Sequence, residues 1–327
     1  MTTLPLSLAI GDYDHVRDLV SGAVPAEGIA LAITRLPVEE LFYRFVTFRE
    51  WAVSEMGFGP YLSMLSRGDT SMIAIPVFPS RVFRHSSIYV RADGRIREPG
   101  ELAGKSIGVP EWAMTAAIYA RAVLQHEHGV PLASVRWVQG GVNEPGRIDN
   151  MISRLPPGVS YTPAPDRSLG DLLVAGELDA IISARPPRAF LAGDGSVRRL
   201  FQDDAEVEAW KASQVFPIMH TVVIRRDVYE RNPWIAMNLY KAFDQAKDRS
   251  LARLREITVS GYPLPWLAHA VNRAESLLGR DWWPYGIGPN RATLDALLEY
   301  SFEQGVCHRR VGIDELFAPE TRSTSRV

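Results

Sequence analysis

Residues 76–90 read PVFPSRVFRHSSIYV, and the rest of the chain is arranged around this short segment. An apolar run, residues 72–75, leads into it, and an alternating run, residues 87–90, leads out of it. Its two prolines restrict their own backbone and that of the residue before each, so the loop between the strand-like runs is expected to be stiff. A stiff loop bearing Arg81 and Arg84 can hold an anion in a defined place. The alternative is a surface loop whose arginines pair with nearby acidic residues.

The segment before this loop alternates between strand and helix patterns. Strands are predicted at residues 4–10, 29–36 and 51–54, with helices at 15–21, 38–48 and after the glycines at 57 and 59. This order predicts a mostly parallel sheet covered by helices. Ligands of such sheets collect beyond the carboxyl ends of the strands. Asp12, Glu55 and the loop at residues 81–87 follow predicted strands, so we expect them to face one crevice.

A second β-α-β pattern follows residue 95. Strands are predicted at residues 106–109, 135–138 and 178–183, a helix at 111–128, and a loop at 156–165. The apolar run at residues 215–224, which contains His220, is typical of a central strand, and helices are predicted after it. We therefore expect an α/β protein with two hinged lobes and a ligand cleft between them. Lobe 1 comprises residues 1–95 and 215–327, and lobe 2 comprises residues 96–214; a plain doubly wound enzyme is the competing interpretation.

The composition, net charge and cysteine content of the chain exclude several kinds of partner and site. The chain has 327 residues, 46% of them hydrophobic and 23% charged, with a net charge of −2 and one cysteine, Cys307. With no basic run, nucleic acid is not an expected partner, and a single cysteine excludes an internal disulfide or a thiolate metal cluster. No signal peptide or membrane-spanning run is present, so a cytoplasmic protein without a membrane partner is predicted. The sequence leaves a homo-oligomer open.

Several stretches resemble the 4,5-dihydroxyphthalate decarboxylase family. They occur in the same order over nearly the whole chain: GDYD (11–14), PVFPSR (76–81), FRHSSIYV (83–90), GKSIGVPE (104–111), FPIMH (216–220) and WPYG (283–286). The resemblance implies the type 2 periplasmic-binding-protein fold. It also implies loss of carbon dioxide from an aromatic dicarboxylate, with a small aromatic carboxylate as the ligand. The same fold serves many solute receptors, so fold alone does not decide the activity.

The implied chemistry sets the roles that side chains must fill. In a catechol that bears two adjacent carboxylates, each hydroxyl lies para to one carboxylate and can push electrons onto the carbon to be protonated. The ring is its own electron sink, so no organic cofactor is expected. No metal site is predicted, because the sequence contains no compact metal-ligand motif, but metal assistance at the catechol oxygens is left open.

Arginine is the best clamp for the carboxylate that stays, because its guanidinium makes paired hydrogen bonds. Histidine suits the proton donor near neutral pH. The candidates for the clamp are Arg81 and Arg84 with Ser86 and Ser87 as supporting donors. His85 is the first candidate for the acid and His220 the second, unless His220 is a buried neutral residue.

Glu55 and Glu111 are candidate acceptors for a phenol proton, although Glu111 would equally favour the first turn of a helix. Lobe 2 contributes further candidates that could close over the ligand: Thr115, Arg147, Arg185 and Arg188. The competing function is a non-catalytic solute-binding protein for a small carboxylate, which needs the arginines but no proton donor.

Overall fold

The computed structural model describes residues 3–151, 153–202, 204–259 and 261–323. Its strands are β1 (Leu4–Ile10), β2 (Ile29–Arg35), β3 (Val53–Gly57), β4 (Met72–Ile75), β5 (Ile88–Arg91), β6 (Ser106–Val109), β7 (Arg136–Gln139), β8 (Ser160–Pro163), β9 (Ala180–Ile182), β10 (Val197–Arg199) and β11 (His220–Arg225). They form two separate sheets.

Helices cover the sheets and join the strands. They are α1 (Arg17–Val20), α2 (Val38–Phe48), α3 (Phe58–Ser66), α4 (Thr115–Ala122), α5 (Leu169–Val174), α6 (Arg188–Ala192), α7 (Ala205–Ser213), α8 (Arg226–Arg231), α9 (Ile235–Arg255), α10 (Leu267–Leu278), α11 (Arg291–Glu303) and α12 (Ile313–Leu316). Helix α4 continues as a π-helical turn, Val123–Glu127, and His85–Ser87 forms a 3₁₀ turn before β5. No helix in the described ranges combines the length and apolar character needed to cross a bilayer.

Lobe 1 is built on the sheet with strand order β2-β1-β3-β11-β4. Strand β1 runs parallel to β2 and β3, whereas β11 runs antiparallel to β3 and β4. The expected mostly parallel sheet is therefore mixed, because β11 returns from lobe 2 in the opposite direction. As a result, the start of β11 meets the carboxyl ends of β1 and β3 at one edge of the sheet.

Lobe 2 is built on the sheet with strand order β10-β5-β9-β6-β7-β8. Its parallel part is β9-β6-β7-β8. Beyond β9, strand β5 pairs antiparallel to β9, and the edge strand β10 pairs antiparallel to β5. The chain passes from the first sheet to the second between β4 and β5 and returns between β10 and β11. The limits predicted for the lobes, residues 1–95, 96–214 and 215–327, stay predictions.

Several element boundaries differ from the sequence expectation for physical reasons. The apolar run at 215–224 becomes a strand only from His220, because residues before it pair with the other crossover: the Val82 amide donates to the Pro217 carbonyl (3.2 Å). The loop expected at 156–165 contains the short, mostly exposed edge strand β8. The helix expected at 111–128 begins at Thr115, and α7 and α10 had no counterpart in the prediction.

The lobes are in contact where α3 meets α4. The backbone N–H of Gly59 donates to Thr115 Oγ1 (2.9 Å), and a Cβ on Gly59 would lie 2.4 Å from the Ala113 carbonyl oxygen. Helix α11 packs against both helices, and Trp112 Nε1 donates to the Gln304 carbonyl (2.7 Å) just after it. Only a residue without a side chain fits at position 59 while this contact is kept.

We therefore expect Gly59→Ala to destabilise the protein by roughly 1–3 kcal/mol, the usual cost of overpacking a tight backbone contact. Urea unfolding monitored by circular dichroism measures the change. Gly288→Ala is the matched control, because a Cβ there meets nothing within 4 Å. Equal stability of the two variants would contradict the assigned close approach.

Candidate active site

The side chains best suited to acid–base chemistry lie at the edge of the lobe 1 sheet where β11 begins. Tyr13 is the third residue after β1, and His220 is the first residue of β11. Glu55 was expected just after a strand, but it is the middle residue of β3 because that strand continues to Gly57. The register sets His220 opposite Gly57 and sets Ala9 opposite Ser54. Strand order thus brings together three side chains that are up to 207 positions apart in sequence.

Glu55 is fully buried and accepts three hydrogen bonds. The donors are the Gly11 amide to Oε2 (2.7 Å), the Tyr13 hydroxyl to Oε1 (2.6 Å) and His220 Nδ1 to Oε1 (2.6 Å). Burial alone would raise the pKa of this carboxyl, but the interactions with His220, Tyr13 and Gly11 outweigh it and the pKa is lowered. Glu55 is therefore a carboxylate at neutral pH.

His220 is oriented by this carboxylate. Because an ionised carboxylate can only accept, the proton between the two side chains belongs to Nδ1. The edge of the ring meets the Phe42 ring of α2, with centroids 4.9 Å apart, and the side chain is 15% exposed. Nε2 has no hydrogen-bond partner among the described residues. A histidine held in this way can present Nε2 to a ligand as acid or base.

Tyr13 is a site residue that the sequence prediction missed. Burial and the neighbouring Glu55 charge raise the pKa of its hydroxyl, so it stays a neutral donor. A Cβ on Gly11 would lie 2.7 Å from the Tyr13 ring, so glycine there allows the ring to turn toward Glu55. The signal was its position in GDYD directly after the first strand, which was interpreted only as a turn.

Lobe 2 places two of the predicted arginines in ion pairs. Arg147 donates to Glu111 Oε1 through Nε (2.9 Å) and Nη2 (2.6 Å). Arg185 Nε donates across to Glu39 of α2 in lobe 1 (2.6 Å), and the Arg147 charge also acts on Glu39. Glu39 and Phe42 are one helical turn apart on α2, and Phe42 touches His220. These contacts bring both guanidiniums toward the side of the cleft where His220 lies.

The remaining lobe 2 candidates have other surroundings. Thr115 accepts the Gly59 amide at the contact between lobes. Arg188 pairs with Glu144, and both side chains are largely exposed. Asp12, expected in the same crevice as Glu55, is exposed and pairs with Arg35 (3.0 Å).

Arg81 is buried. Its Nη1 donates to the Pro284 carbonyl (3.1 Å), its Nη2 donates to the Phe216 carbonyl (2.8 Å), and its guanidinium stacks on the Phe216 ring (4.4 Å). Burial lowers its pKa to about 10. It lines a cavity of about 430 Å³ that is also bordered by Trp282 and Tyr285. Within the described residues it has no carboxylate in ion-pair contact, so it is not the salt-bridged surface residue of the alternative interpretation.

Arg84 and its neighbours face a third environment. Arg84 is buried, contacts Met219 Sδ (3.0 Å) and donates to Ser87 Oγ (3.3 Å), and burial lowers its pKa to about 10. The Ser86 amide donates to Glu206 (3.2 Å).

His85 is buried and Nε2 bonds to Glu127 (2.9 Å) at the end of the α4 extension.

None of the described hydrogen bonds joins a side chain of residues 81–87 to Glu55 or His220, although the Ser80 carbonyl accepts the amides of Met219 (2.8 Å) and His220 (3.3 Å). The roles of residues 81–87 in the site stay predictions. In the described part of the chain, no three His, Cys, Asp or Glu side chains converge as metal ligands. The expectation of a reaction without metal or cofactor stays a prediction too.

Comparison with known proteins gives the family. The chain is 37% identical to a 4,5-dihydroxyphthalate decarboxylase of Comamonas testosteroni over 330 residues, which is 100% of both chains. It is 39% identical to the Pseudomonas putida protein of the same name over 204 residues, 62% of this chain and 79% of that one. The chain belongs to the 4,5-dihydroxyphthalate decarboxylase family. No family model matches the chain.

Solved structures confirm the fold expected for this decarboxylase family. The periplasmic aliphatic sulphonate binding protein SsuA from Escherichia coli superposes with a TM-score of 0.56, 13% identity and coverage of 99% of this chain and 94% of that chain. The desulfurization enzyme DSZB superposes with a TM-score of 0.53, 16% identity and coverage of 98% and 97%. The two-lobe, type 2 periplasmic-binding-protein-like architecture is thus confirmed, and it occurs in both binding proteins and enzymes.

The lowered pKa of Glu55 predicts how stability depends on pH in this family member. A carboxyl whose folded pKa is below its ordinary value of 4.5 stabilises the fold above that pH, and this stabilisation is lost as the pH falls below it. We expect Glu55→Gln to lower the free energy of unfolding at pH 7 by about 1.5–3 kcal/mol, the usual worth of hydrogen bonds to a charged group. The deficit should become smaller at pH 4, because below 4.5 the unfolded chain takes up a proton at position 55 that the folded carboxylate does not.

Urea titrations at both pH values measure this effect. Glu230→Gln, at an exposed carboxylate of α8, is the control and should behave like the wild type at both. A deficit of Glu55→Gln that stays constant between pH 7 and pH 4 would show that the charge of Glu55 does not stabilise the fold.

Proposed function

We propose that the protein is a carboxy-lyase that converts 4,5-dihydroxyphthalate to protocatechuate by non-oxidative decarboxylation. Membership of the decarboxylase family over the whole chain supports the reaction and the substrate class. The observation on which the mechanism rests is the pairing of His220 with a fully buried carboxylate, which leaves Nε2 available at the cleft. A binding protein needs cationic and polar groups but has no need for an oriented imidazole.

The reaction requires one proton to be delivered to a ring carbon. Doubly protonated His220 gives the Nε2 proton to the carbon that bears the leaving carboxylate, while the para hydroxyl pushes electrons toward that carbon. The bond to the carboxylate then breaks, its electron pair returns to the ring, and carbon dioxide departs. The imidazole left behind regains a proton from solvent, so the net change is one proton consumed and one carbon dioxide released.

Glu55 and Tyr13 prepare His220 for this step. The buried carboxylate fixes the ring through Nδ1 and balances the positive charge of the doubly protonated form. Its second donor, the neutral Tyr13 hydroxyl, keeps the carboxylate in place without competing for the role of acid. The packing of Phe42 on the ring restricts rotation, so that Nε2 keeps one direction.

Arg147 and Arg185 are the proposed clamp for the carboxylate that remains on the ring. Both are at the lobe 2 side of the cleft, and their present partners are carboxylates of Glu111 and Glu39, which a ligand carboxylate can replace. Guanidinium is suited to this exchange because it binds carboxylates in a planar, paired geometry. Holding the spectator group rather than the leaving group favours the transition state, since tight binding of the departing carboxylate opposes its loss.

The assignment of the acid is tested by comparing two histidine variants. We expect His220→Asn to lower kcat for 4,5-dihydroxyphthalate by roughly 10²–10⁴-fold, the usual contribution of general acid catalysis, with little change in ligand affinity. His85→Asn is the second variant and should retain most of the activity, since Nε2 of His85 already bonds to Glu127. Carbon dioxide release and protocatechuate formation are the readouts, and calorimetry with phthalate gives the affinity. The reverse pattern would assign the acid to His85.

The alternative function is a non-catalytic carboxylate-binding protein. Measurements on the wild-type protein alone distinguish it from the enzyme. Tight binding of 4,5-dihydroxyphthalate without carbon dioxide release would reject the enzyme. The cytoplasmic location, the lack of nucleic-acid and membrane partners and the state of oligomerisation stay predictions.

A further inference from the structure

One ion pair joins the two lobes at the cleft and involves a residue with no role so far. Glu39 of α2 in lobe 1 binds Arg185, which follows β9 in lobe 2, at 2.6 Å. The side chains are 42% and 68% exposed, so both reach solvent. The Arg185 interaction holds the pKa of Glu39 below its ordinary value, so Glu39 is ionised at neutral pH. The Glu39 carboxylate is therefore already bound to the Arg185 guanidinium, which the proposed function assigns to binding of the substrate.

We propose that Glu39 is an internal competitor for Arg185, which an aromatic carboxylate must displace on binding and which returns to Arg185 when that ligand leaves. This inference rests on the proposed function only in taking Arg185 as a ligand-binding residue. Glu39 is thus a residue that sets affinity and product release rather than one that touches the substrate.

The Arg147–Glu111 and Arg185–Glu39 pairs differ in how readily a ligand carboxylate can replace the glutamate. Arg147 makes two hydrogen bonds to Glu111, and both residues belong to lobe 2. Arg185 makes one hydrogen bond to Glu39, and the pair spans two lobes. Exposed pairs of this kind are worth less than about 1 kcal/mol, so a ligand carboxylate can replace Glu39 at small cost. The Glu39 pair is therefore the one expected to open first.

A purely structural ion pair would predict the opposite effect of removing Glu39. If the pair only held the lobes together, its loss would loosen the closed state and weaken ligand binding. If Glu39 competes with the ligand, its loss frees Arg185 and strengthens binding. The sign of the change in affinity therefore distinguishes the two roles.

The test is calorimetric binding of phthalate, a dicarboxylate without the hydroxyls that drive decarboxylation. We expect Glu39→Gln to tighten phthalate binding roughly three- to fivefold, in keeping with the strength of an exposed ion pair. Glu40→Gln is the matched control on the same helix, because Glu40 pairs with Arg44 (2.9 Å), and it should leave the affinity unchanged. In steady-state assays, Glu39→Gln should lower KM and strengthen product inhibition by protocatechuate.

A double-mutant cycle ties the effect to Arg185. In the Arg185→Gln background, Glu39→Gln should no longer tighten phthalate binding, since the guanidinium for which it competes is gone. Unchanged or weaker binding by Glu39→Gln, equal tightening in both backgrounds, or no phthalate binding by either protein would overturn the inference. Because binding is measured without turnover, failure to release carbon dioxide would reject the proposed function alone, and activity with no effect of Glu39→Gln would reject only the inference.

Discussion

A fully buried carboxylate organises the edge of the lobe 1 sheet. Glu55 has no contact with solvent, and an ion left unpaired in such a place would cost several kcal/mol. Its three donors are Gly11 and Tyr13, the first and third residues after β1, and His220 at the start of β11. The need to satisfy this charge therefore fixes the relative positions of three chain segments. The imidazole of His220 gains its orientation from the same requirement.

The direction of β11 is what makes this arrangement available. In a fully parallel sheet, the residue that begins a strand lies at the edge opposite the carboxyl ends of its neighbours. Because β11 returns from lobe 2 antiparallel to β3, its first residue lies at the same edge as the ends of β1 and β3. His220 also stands directly after the returning crossover, so the proposed acid is located where lobe 1 meets the path to lobe 2. The proposed acid is therefore covalently connected to the chain segment that joins the two lobes.

Sequence reasoning found the parts that depend on local pattern and missed those that depend on long-range contact. The alternation of strands and helices in both lobes was predictable, and Glu55 and His220 were both singled out as candidates. Their positions differed from the expectation: Glu55 was expected after a strand and is the middle residue of β3, and His220 was expected inside a strand and begins β11. The edge strand β8 was not, because its residues are largely exposed and polar and lack an apolar pattern. The partner of His85, Glu127, is 42 positions away. Nothing in the local sequence pattern indicates that the imidazole bonds to the helical turn that follows α4. Tyr13 was missed because a neutral hydroxyl gains its role only from a carboxylate 42 positions away.

The arginines of the stiff segment at residues 76–90 hold the two crossover segments together. Arg81 donates to the Phe216 carbonyl, Arg84 contacts Met219, and the backbone of Arg81 pairs with Ile218. All of these contacts join the outgoing crossover to the returning one. The buried Arg81 guanidinium donates to backbone carbonyls rather than to a carboxylate, and in this way it holds two chain segments side by side.

The crossovers are the only covalent connections between the two sheets within the described residues. Fixing them together limits the directions in which lobe 2 can move relative to lobe 1. The loop therefore contributes to the architecture through these contacts. Guanidiniums that must exchange partners with a ligand need solvent access and a weak existing contact, which the environment of Arg185 provides and that of Arg81 does not.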